Sequence, residues 1–240
     1  YLGIADFLHA LPERPLVSAF TATATERVRQ DIAQILELQN PIRVVTGFDR
    51  PNLRFEVRKP KRKAEAIVEL VRARRDKSGI VYCSTRKNVE EVCQRLREAG
   101  VLATRYHAGL SDQERLDNQE DFLYDRATVM VATNAFGMGI DKSNVGYVIH
   151  YNMPQSLESY YQEAGRAGRD GAEAECLLLF SPGDVETAKF LISHPTGEGD
   201  PQTRQQQFLL DMQRLGIMVD YCKTNRCLRG FILDYFGQTH

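Results

Sequence analysis

Short apolar runs alternate with amphipathic stretches through the middle of the chain, and this alternation restricts the possible folds more than any other feature. Residues 79–84 (GIVYCS) and 127–133 (ATVMVAT) are mostly apolar without alternation, which is typical of strands buried on both faces of a parallel sheet. Residues 86–98 follow the first run and carry apolar residues at helical spacing. Strands that alternate with helices in this way predict an open α/β sheet.

The same pattern extends to residue 180. Ser111 and Glu114 form a capping box ahead of a helix that we expect to turn Leu116, Phe122 and Leu123 inward. Further strands are predicted at 102–107, 146–151 and 174–180, and a further helix at 156–169.

Two flanks differ from this central region. Residues 1–48 contain a predicted strand at 16–20 (LVSAF) and a helix capped by Thr23 in a capping box with Glu26, like the tail of a preceding α/β unit. The Gly/Pro-rich sequence HPTGEGDPQ interrupts the chain after Ser193 and predicts a linker. The remaining residues, 202–237, are predicted to be helical.

The composition excludes several classes of protein. The chain has 240 residues, of which 42% are hydrophobic and 26% charged, as in an ordinary soluble protein. No apolar run approaches the roughly 20 residues that a membrane span needs. The five cysteines are odd in number and scattered, which favours reduced thiols in a cytoplasmic protein. Because the first residue is Tyr1 and not Met, we expect a piece of a longer chain.

One strongly basic stretch stands out from a net charge of −1. Residues 50–77 hold eleven Lys and Arg against four Asp and Glu. Such a run is usually a solvated helix start and loop. It is also what a footprint for a nucleic-acid phosphate backbone looks like, and the sequence leaves both interpretations open.

Residues 162–171 (QEAGRAGRDG) place two arginines among small residues. On a continuous helix Gln162, Arg166 and Arg169 would share one open face, and guanidinium groups match phosphate oxygens. Gly165 and Gly168 would clear a path for a ligand or a second domain. The alternative is a surface helix with structural ion pairs.

The loop at 132–141 (ATNAFGMGID) leaves the carboxyl end of a predicted buried strand, which is where open α/β sheets bind ligands. Gly137 and Gly139 permit close approach of a ligand to the backbone. Thr133 can donate to a phosphate, and Asp141 can accept from a ribose hydroxyl. A tight glycine turn is the alternative.

Three further strand ends carry polar residues. Ser84, Thr85 and Arg86 follow one strand, where hydroxyls can cap a helix or its N–H groups can bind phosphate. His107 follows another strand and is either structural or functional. Thr21 is unexplained by capping, which suggests an interface. A catalytic pair of Cys83 and His107 remains conjecture.

Equally informative is what the sequence lacks. There is no G-x-x-x-x-G-K-[ST] loop and no D-E-x-H motif, so the loop that holds β- and γ-phosphates is missing. No Ser or Cys nucleophile has a credible base with an orienting acid.

Taken in order, these segments resemble the motifs of superfamily 2 helicases, and most closely those of the RecQ DNA helicases. TATAT at 21–25 is similar to motif III and YCSTR at 82–86 to motif IV, with YHAGL at 106–110 as its neighbour. VATNAFGMGIDKSNV at 131–145 is similar to motif V, and YYQEAGRAGRDG at 160–171 to motif VI.

The resemblance implies a RecA-like parallel sheet flanked by helices, of the P-loop NTPase superfamily. Residues 1–48 would end the first RecA-like domain, 49–194 would form the second, and 195–240 would begin a truncated helical zinc-binding domain. It also implies an ATP- and Mg-dependent enzyme that moves 3′ to 5′ on single-stranded and partially duplex DNA. The ATP-binding and Mg-binding motifs of the first domain are expected to precede residue 1, so this fragment should be inactive alone.

The resemblance also assigns roles to residues. Arg166 and Arg169 would reach across the cleft between the two domains, one of them, with Arg169 favoured, as the arginine finger on the γ-phosphate. Gln162 would contact the nucleotide or relay its state. Gly139 and Asp141 would lie at the nucleotide. The roles of the remaining residues are DNA contact for Ser84, Arg86, His107 and Thr133, coupling for Thr21 and Thr23, and zinc binding for Cys227, with Cys222 not a ligand.

The resemblance places the protein in a bacterial-type cytoplasm, associated with the nucleoid and not with a membrane. Two alternatives remain at this point. The chain could be a non-catalytic nucleic-acid-binding module, or its parent could be an RNA helicase of the same superfamily.

Overall fold

The computed structural model describes residues 2–137, 142–195 and 201–238. It divides into two compact units. Unit 1 comprises Tyr1–Asp49 and Arg229–His240, and unit 2 comprises Arg50–Leu228. Each unit is described on its own.

Unit 1 contains the helices α1 (Leu2–Ala10) and α2 (Glu26–Ile35), which share a small core formed by Leu8, Ile32 and Leu36. Thr25, in extended conformation, caps α2, and its hydroxyl accepts a hydrogen bond from the Val28 N–H. The predicted cap at Thr23 is therefore wrong by two residues.

The predicted strand at 16–20 is absent from the described structure. Leu16 and Phe20 are 96% and 94% exposed, and no described strand pairs with this segment. A strand needs a neighbour that shares its backbone hydrogen bonds, so the apolar pattern alone does not produce one here.

Unit 2 is built on a six-stranded sheet whose neighbouring strands all pair in parallel. The sheet order is β1-β6-β5-β2-β4-β3. The strands are β1 (Leu53–Arg58), β2 (Ser78–Tyr82), β3 (Ala103–Tyr106), β4 (Val129–Ala132), β5 (Val145–His150) and β6 (Ala174–Leu179). The α/β sheet predicted from the alternating pattern is confirmed. The edge strand β1 lies within the basic stretch and was not predicted.

Six helices of unit 2 accompany this sheet. They are α3 (Lys63–Arg72), α4 (Arg86–Glu98), α5 (Asp112–Leu123), α6 (Leu157–Ala164), α7 (Pro182–Ser193) and α8 (Pro201–Lys223). Helices α3 and α4 pack on the sheet face that carries Val81, Ile149 and Leu177. On the opposite face, Tyr160 of α6 contacts His150, with ring centroids 4.9 Å apart. Both faces of the central strands are therefore buried, which explains their continuous apolar sequences.

Helix α5 tests the predicted capping box and the predicted inward-facing residues. The capping box of Ser111 and Glu114 opens α5 as predicted, and Phe122 is buried. Leu116 is 50% exposed, however, so its expected inward orientation is wrong.

The C-terminal region consists of two helices. Helix α8 belongs to unit 2 and ends at Lys223, and residues 224–227 connect it to α9 (Leu228–Tyr235). The predicted tail is thus two helices, and it does not form a unit of its own.

The most consequential difference concerns the predicted helix at 156–169. Helix α6 ends at Ala164 with Gly165 as its C-cap, and residues 165–170 form turns. Gly168 has φ +57°, a left-handed conformation that glycine adopts without strain. Arg166 and Arg169 therefore do not share a helical face. We call residues 165–172 the arginine turn.

Gly79 illustrates how tightly the sheet is packed. A Cβ at this position would lie 2.1 Å from two ring atoms of the fully buried Tyr147. We predict that Gly79→Ala lowers the free energy of unfolding by about 2–3 kcal/mol, because the buried ring of Tyr147 would have to move to make room for the added methyl group. Urea unfolding measures the effect. As a matched control, a Cβ at Gly216 in α8 meets nothing within 4 Å, and Gly216→Ala should instead stabilise the chain by up to about 1 kcal/mol.

Candidate functional site

The carboxyl ends of the parallel strands bring the predicted site segments to one edge of the sheet. Residues 83–86 follow β2, 107–110 follow β3, 133–137 follow β4, and 151–154 follow β5. Because open α/β sheets bind ligands at this edge, these four loops define one part of the candidate site of unit 2. The arginine turn precedes β6, and its Gly168 N–H donates to Val145 O at the start of β5, so its backbone lies at the amino ends of these strands. It joins the site through Arg166, whose side chain reaches the loop after β4.

Arg86 and His107 lie together at this edge, although they follow different strands. A Cβ on Gly109 would lie 3.1 Å from His107 Nδ1 and 3.2 Å from Arg86 Cδ, so both side chains border the same glycine. His107 is buried, with Nε2 2.7 Å from Glu90 Oε1, and its Nδ1 accepts a hydrogen bond from the Gly109 N–H. The ring is therefore fixed from both sides, while Arg86 is exposed.

Of the two hydroxyl residues after β2, only Thr85 caps the following helix. Thr85 caps α4 and accepts from the Asn88 N–H at 3.1 Å. Ser84 Oγ is buried and has no hydrogen-bond partner among the described residues. The Ser84 N–H donates to Asn152 Oδ1, which also accepts from the Asn88 side chain.

Asn152 connects this loop to a buried ion pair. Its Nδ2 donates to Asp184 Oδ1 at 3.1 Å, and Asp184 Oδ2 lies 2.5 Å from Lys63 Nζ. The side chains of Lys63 and Asp184 are only 13% and 5% exposed. Burial lowers the pKa of Lys63 more than the neighbouring Asp184 raises it. The network was not predicted, since its members are far apart in sequence.

Thr133 lies at the end of β4 and is buried. Its N–H donates to Tyr106 O, and its Oγ1 accepts from the Ala135 N–H at 3.4 Å. This residue therefore adds one hydrogen bond between the ends of β3 and β4 and begins the tight turn after β4, and its hydroxyl hydrogen is left to donate.

Arg166 points into the protein and not toward an open face. It is 9% exposed, and its Nη1 donates to Gly137 O at 2.5 Å. A Cβ on Gly137 would lie 2.3 Å from Arg166 Nη2, so the glycine is needed for the guanidinium to fit. The close approach that Gly137 permits is thus made by Arg166. The expected shared open face of the two arginines is wrong.

Tyr82 and His150 complete the surroundings of Arg166. The Tyr82 hydroxyl donates to Phe136 O at 3.0 Å, and its ring stacks on His150 at 5.4 Å. Burial raises the pKa of Tyr82, and the nearby Arg166 guanidinium opposes that rise. His150 Nε2 lies 2.8 Å from Glu163 Oε2. These contacts tie the loop after β4 to α6 and the arginine turn.

Gln162 and Arg169 are exposed, on α6 and on the arginine turn respectively. Arg50 and Asn52, from the segment that precedes β1, hold the backbone of this turn. Arg50 Nη2 donates to Ala167 O and Gly168 O at 3.1 and 2.9 Å. In the sequence, Arg50 is one charge of the basic stretch, and no motif marks it as part of the site.

The basic stretch at 50–77 is largely engaged within the protein. Arg58 pairs with Glu56 at 2.6 Å, and Arg74 pairs with Glu175 through two nitrogens. The Arg74 guanidinium lowers the pKa of the Glu175 carboxyl. Lys63 and Arg50 are also bound, as described above. These contacts favour a mainly structural role for the stretch.

Four further residues were predicted for the site. Thr21 and Thr23 belong to unit 1, where Thr21 is exposed and Thr23 is half-buried. Gly139 and Asp141 lie outside the described residues.

The two cysteines near the end of the chain differ in exposure. Cys227 is exposed, whereas Cys222 is buried, and burial raises the pKa of its thiol to about 12. A zinc ligand must lose its proton, so Cys227 is the better candidate. No group of three or more His, Cys, Asp or Glu side chains in the described part of the chain is placed to hold a metal ion. The described residues therefore do not form a complete zinc site.

Two family models and several known proteins match the sequence of this chain. The family model "Helicase conserved C-terminal domain" matches residues 62–171, and the model "RecQ zinc-binding" matches residues 182–240. The ATP-dependent DNA helicase RecQ of Bacillus subtilis is 48% identical over 238 residues, which cover 99% of this chain. The chain belongs to the RecQ family of helicases. The matched zinc-binding model begins at α7, earlier than the predicted boundary at residue 195.

Other relatives and a solved structure extend the comparison. The RecQ of Haemophilus influenzae is 39% identical over 99% of the chain, and a putative ATP-dependent RNA helicase of Acanthamoeba polyphaga mimivirus is 37% identical over 99%. The chain spans only 39%, 37% and 42% of the lengths of these three relatives. The structure of Saccharomyces cerevisiae Dbp5 bound to RNA and ADP BeF3 matches with a TM-score of 0.63 and 21% sequence identity. The match covers 88% of this chain and 58% of the Dbp5 chain. At that identity the likeness concerns the fold alone.

Proposed function

We propose that this chain is the second motor half of an ATP-dependent DNA helicase that moves 3′ to 5′ along single-stranded DNA and unwinds duplexes. The observation that carries the proposal is an exposed arginine, Arg169, on the turn before β6, whose backbone is fixed by Arg50 and Asn52. Preorganised cations of this kind stabilise the charge that develops in phosphoryl transfer.

In this proposal Arg169 is the arginine finger, and the exposed Gln162 contacts the nucleotide. Arg166 is assigned a different role, because its guanidinium is buried against Gly137 O. It holds the loop after β4 in place. The assignment of Gly139 and Asp141 to the nucleotide remains a prediction.

The DNA strand is proposed to follow the loops after β2, β3 and β4. The exposed Arg86 can donate to phosphate oxygens, while the half-buried Ser84 and the ring of His107, which Glu90 fixes, line the same surface. Thr133 offers its hydroxyl hydrogen. Contacts of this type read the backbone and not the bases, as expected of a translocating motor.

ATP and Mg²⁺ would be bound mainly by residues outside this chain, since its sequence lacks a phosphate-binding loop with its lysine. The groups offered here are guanidinium and amide donors, which suit phosphate oxygens and not a Mg²⁺ ion. Zinc in the whole protein would take Cys227 as one ligand. Thr21 and Thr23 are proposed to couple hydrolysis to domain movement.

Residues 1–48 of unit 1 are proposed to be part of the first RecA-like domain. Their apolar side chains Leu16, Phe20 and Ile42 are each at least 94% exposed. Apolar groups of this size are normally buried in strands or interfaces, so further sequence of that domain would cover them. The described helices include no segment with the length and apolarity that a bilayer span requires. From the relationship to bacterial RecQ proteins, we propose an action on nucleoid DNA in the cytoplasm.

The test compares nucleic acids as activators of the full-length protein. ATP hydrolysis is measured without nucleic acid, with single-stranded DNA and with single-stranded RNA of the same sequence. We predict stimulation of more than about tenfold by DNA and much less by RNA. Equal stimulation by RNA would favour the RNA helicase, which the viral relative's name also raises. Salt-dependent DNA binding without any hydrolysis would favour a non-catalytic binding module.

A further inference from the structure

Arg50 and Asn52 make a dense set of hydrogen bonds to the arginine turn. Arg50 donates to Gly165 O, Ala167 O and Gly168 O, at 3.4, 3.1 and 2.9 Å. Asn52 Nδ2 donates to Gly168 O at 2.8 Å and to Ala172 O at 2.9 Å. Two side chains from before β1 therefore bind four carbonyl oxygens of a turn more than 110 residues away in sequence.

The chemistry of this contact suits both partners. The four carbonyls belong to the C-cap and the turn that follow α6, so none of them accepts a hydrogen bond within that helix. A guanidinium offers several donors in one plane and stays charged, so it can bind several carbonyls at once. Gly168 is part of the fit, because a Cβ there would lie 2.5 Å from Asn52 Nδ2 and 2.7 Å from Ala172 O.

We propose that Arg50 and Asn52 are positioning residues that hold the arginine turn so that Arg169 is aimed at the nucleotide. This role rests on the proposed function. Neither residue touches the nucleotide in this proposal. Arg50 acts through the backbone before Arg169, and Asn52 acts through the backbone on both sides of it. Catalytic groups misplaced by about 1 Å can lose on the order of 100-fold in rate, so a loosened turn should reduce turnover strongly.

The test uses the full-length protein and its ATP turnover with single-stranded DNA. Arg50→Lys keeps the positive charge and removes the fork of donors, and Asn52→Ala removes both bonds of the amide. Each is expected to lower kcat by roughly 10- to 100-fold and to change KM for ATP by less than about 3-fold, because substrate contacts stay. The matched control is Arg97→Lys. Arg97 lies on α4, and its Nε also donates to a backbone oxygen, Ala103 O of β3, at 2.7 Å. This variant should leave kcat unchanged.

A double-mutant cycle separates positioning from general destabilisation. With Arg169→Ala as background, Arg50→Lys should lower kcat by less than about twofold, because the group it positions is gone. A loss by the same factor in both backgrounds would overturn the positioning role, as would single variants that keep wild-type kcat. A wild-type protein without ATP turnover would overturn the proposed function and this role with it, so the two failures are distinguishable.

Discussion

Replacing Arg169 by alanine is expected to lower the DNA-stimulated kcat of the full-length protein by about 10³- to 10⁵-fold, the usual effect of an arginine finger. Arg169 is exposed on a turn whose backbone is bound by Arg50 and Asn52, so its guanidinium is presented from a fixed base. Binding of ATP should be largely kept, since the loop for the phosphates lies elsewhere. Single-turnover hydrolysis and equilibrium binding of a fluorescent ATP analogue measure the two quantities.

Arg166→Ala is the informative companion to this variant. It removes a buried guanidinium and leaves Gly137 O without its donor, so it should lower the free energy of unfolding of the chain by about 1–3 kcal/mol. Arg169→Ala, an exposed change, should alter it by less than about 0.5 kcal/mol. The assignment of the finger would be wrong if Arg169→Ala kept turnover and Arg166→Ala abolished it without loss of stability. Arg169→Lys should remain well below wild type, because an ammonium lacks the fork.

The difference between the two arginines shows where sequence reasoning stops. A helical wheel assumes that the helix continues, and on that assumption Arg166 and Arg169 share a face. The helix ends at Ala164, and Gly168 then adopts a left-handed conformation. The partner of Arg166 is Gly137, 29 residues earlier, and no local pattern encodes such a contact.

The sheet was more predictable because its central strands are buried on both faces. A run such as 127–133 has one stable environment, and the structure places β4 within it. The edge strand β1 (LRFEVR) alternates apolar and charged residues, so its charges concealed it inside the basic stretch. At 16–20 the opposite error occurred, because an apolar run without a described neighbouring strand remains irregular and exposed.

The site was predictable at the level of loops and not of contacts. Parallel strands direct their carboxyl ends to one edge, so Ser84, Arg86, His107 and Thr133 were correctly expected there. The groups that fix these loops, including Glu90 and Asn152, were missed. Each of them acts through a hydrogen bond between distant segments, which only the fold brings together.

The ion pair between Lys63 and Asp184 should be the most sensitive charged contact of unit 2. Both side chains are buried, and the pair joins α3 to the start of α7. We predict that Lys63→Met lowers the free energy of unfolding by about 3–5 kcal/mol at pH 7, because it leaves the Asp184 carboxylate buried without its cation. Urea unfolding of the 240-residue chain, with constant m-value, measures this loss.

A second substitution tests the cause of that loss. Asp184→Asn in the Lys63→Met background removes the remaining charge and keeps an oxygen that can accept from the Ser181 N–H, now 2.8 Å from Asp184 Oδ2. The double variant should therefore recover more than half of the lost stability. A loss below about 1 kcal/mol in Lys63→Met would mean that the pair contributes no more than an exposed one.

Because Asn152 links Asp184 to the Ser84 N–H, the same variants should weaken binding of single-stranded DNA, which Arg97→Lys leaves unchanged.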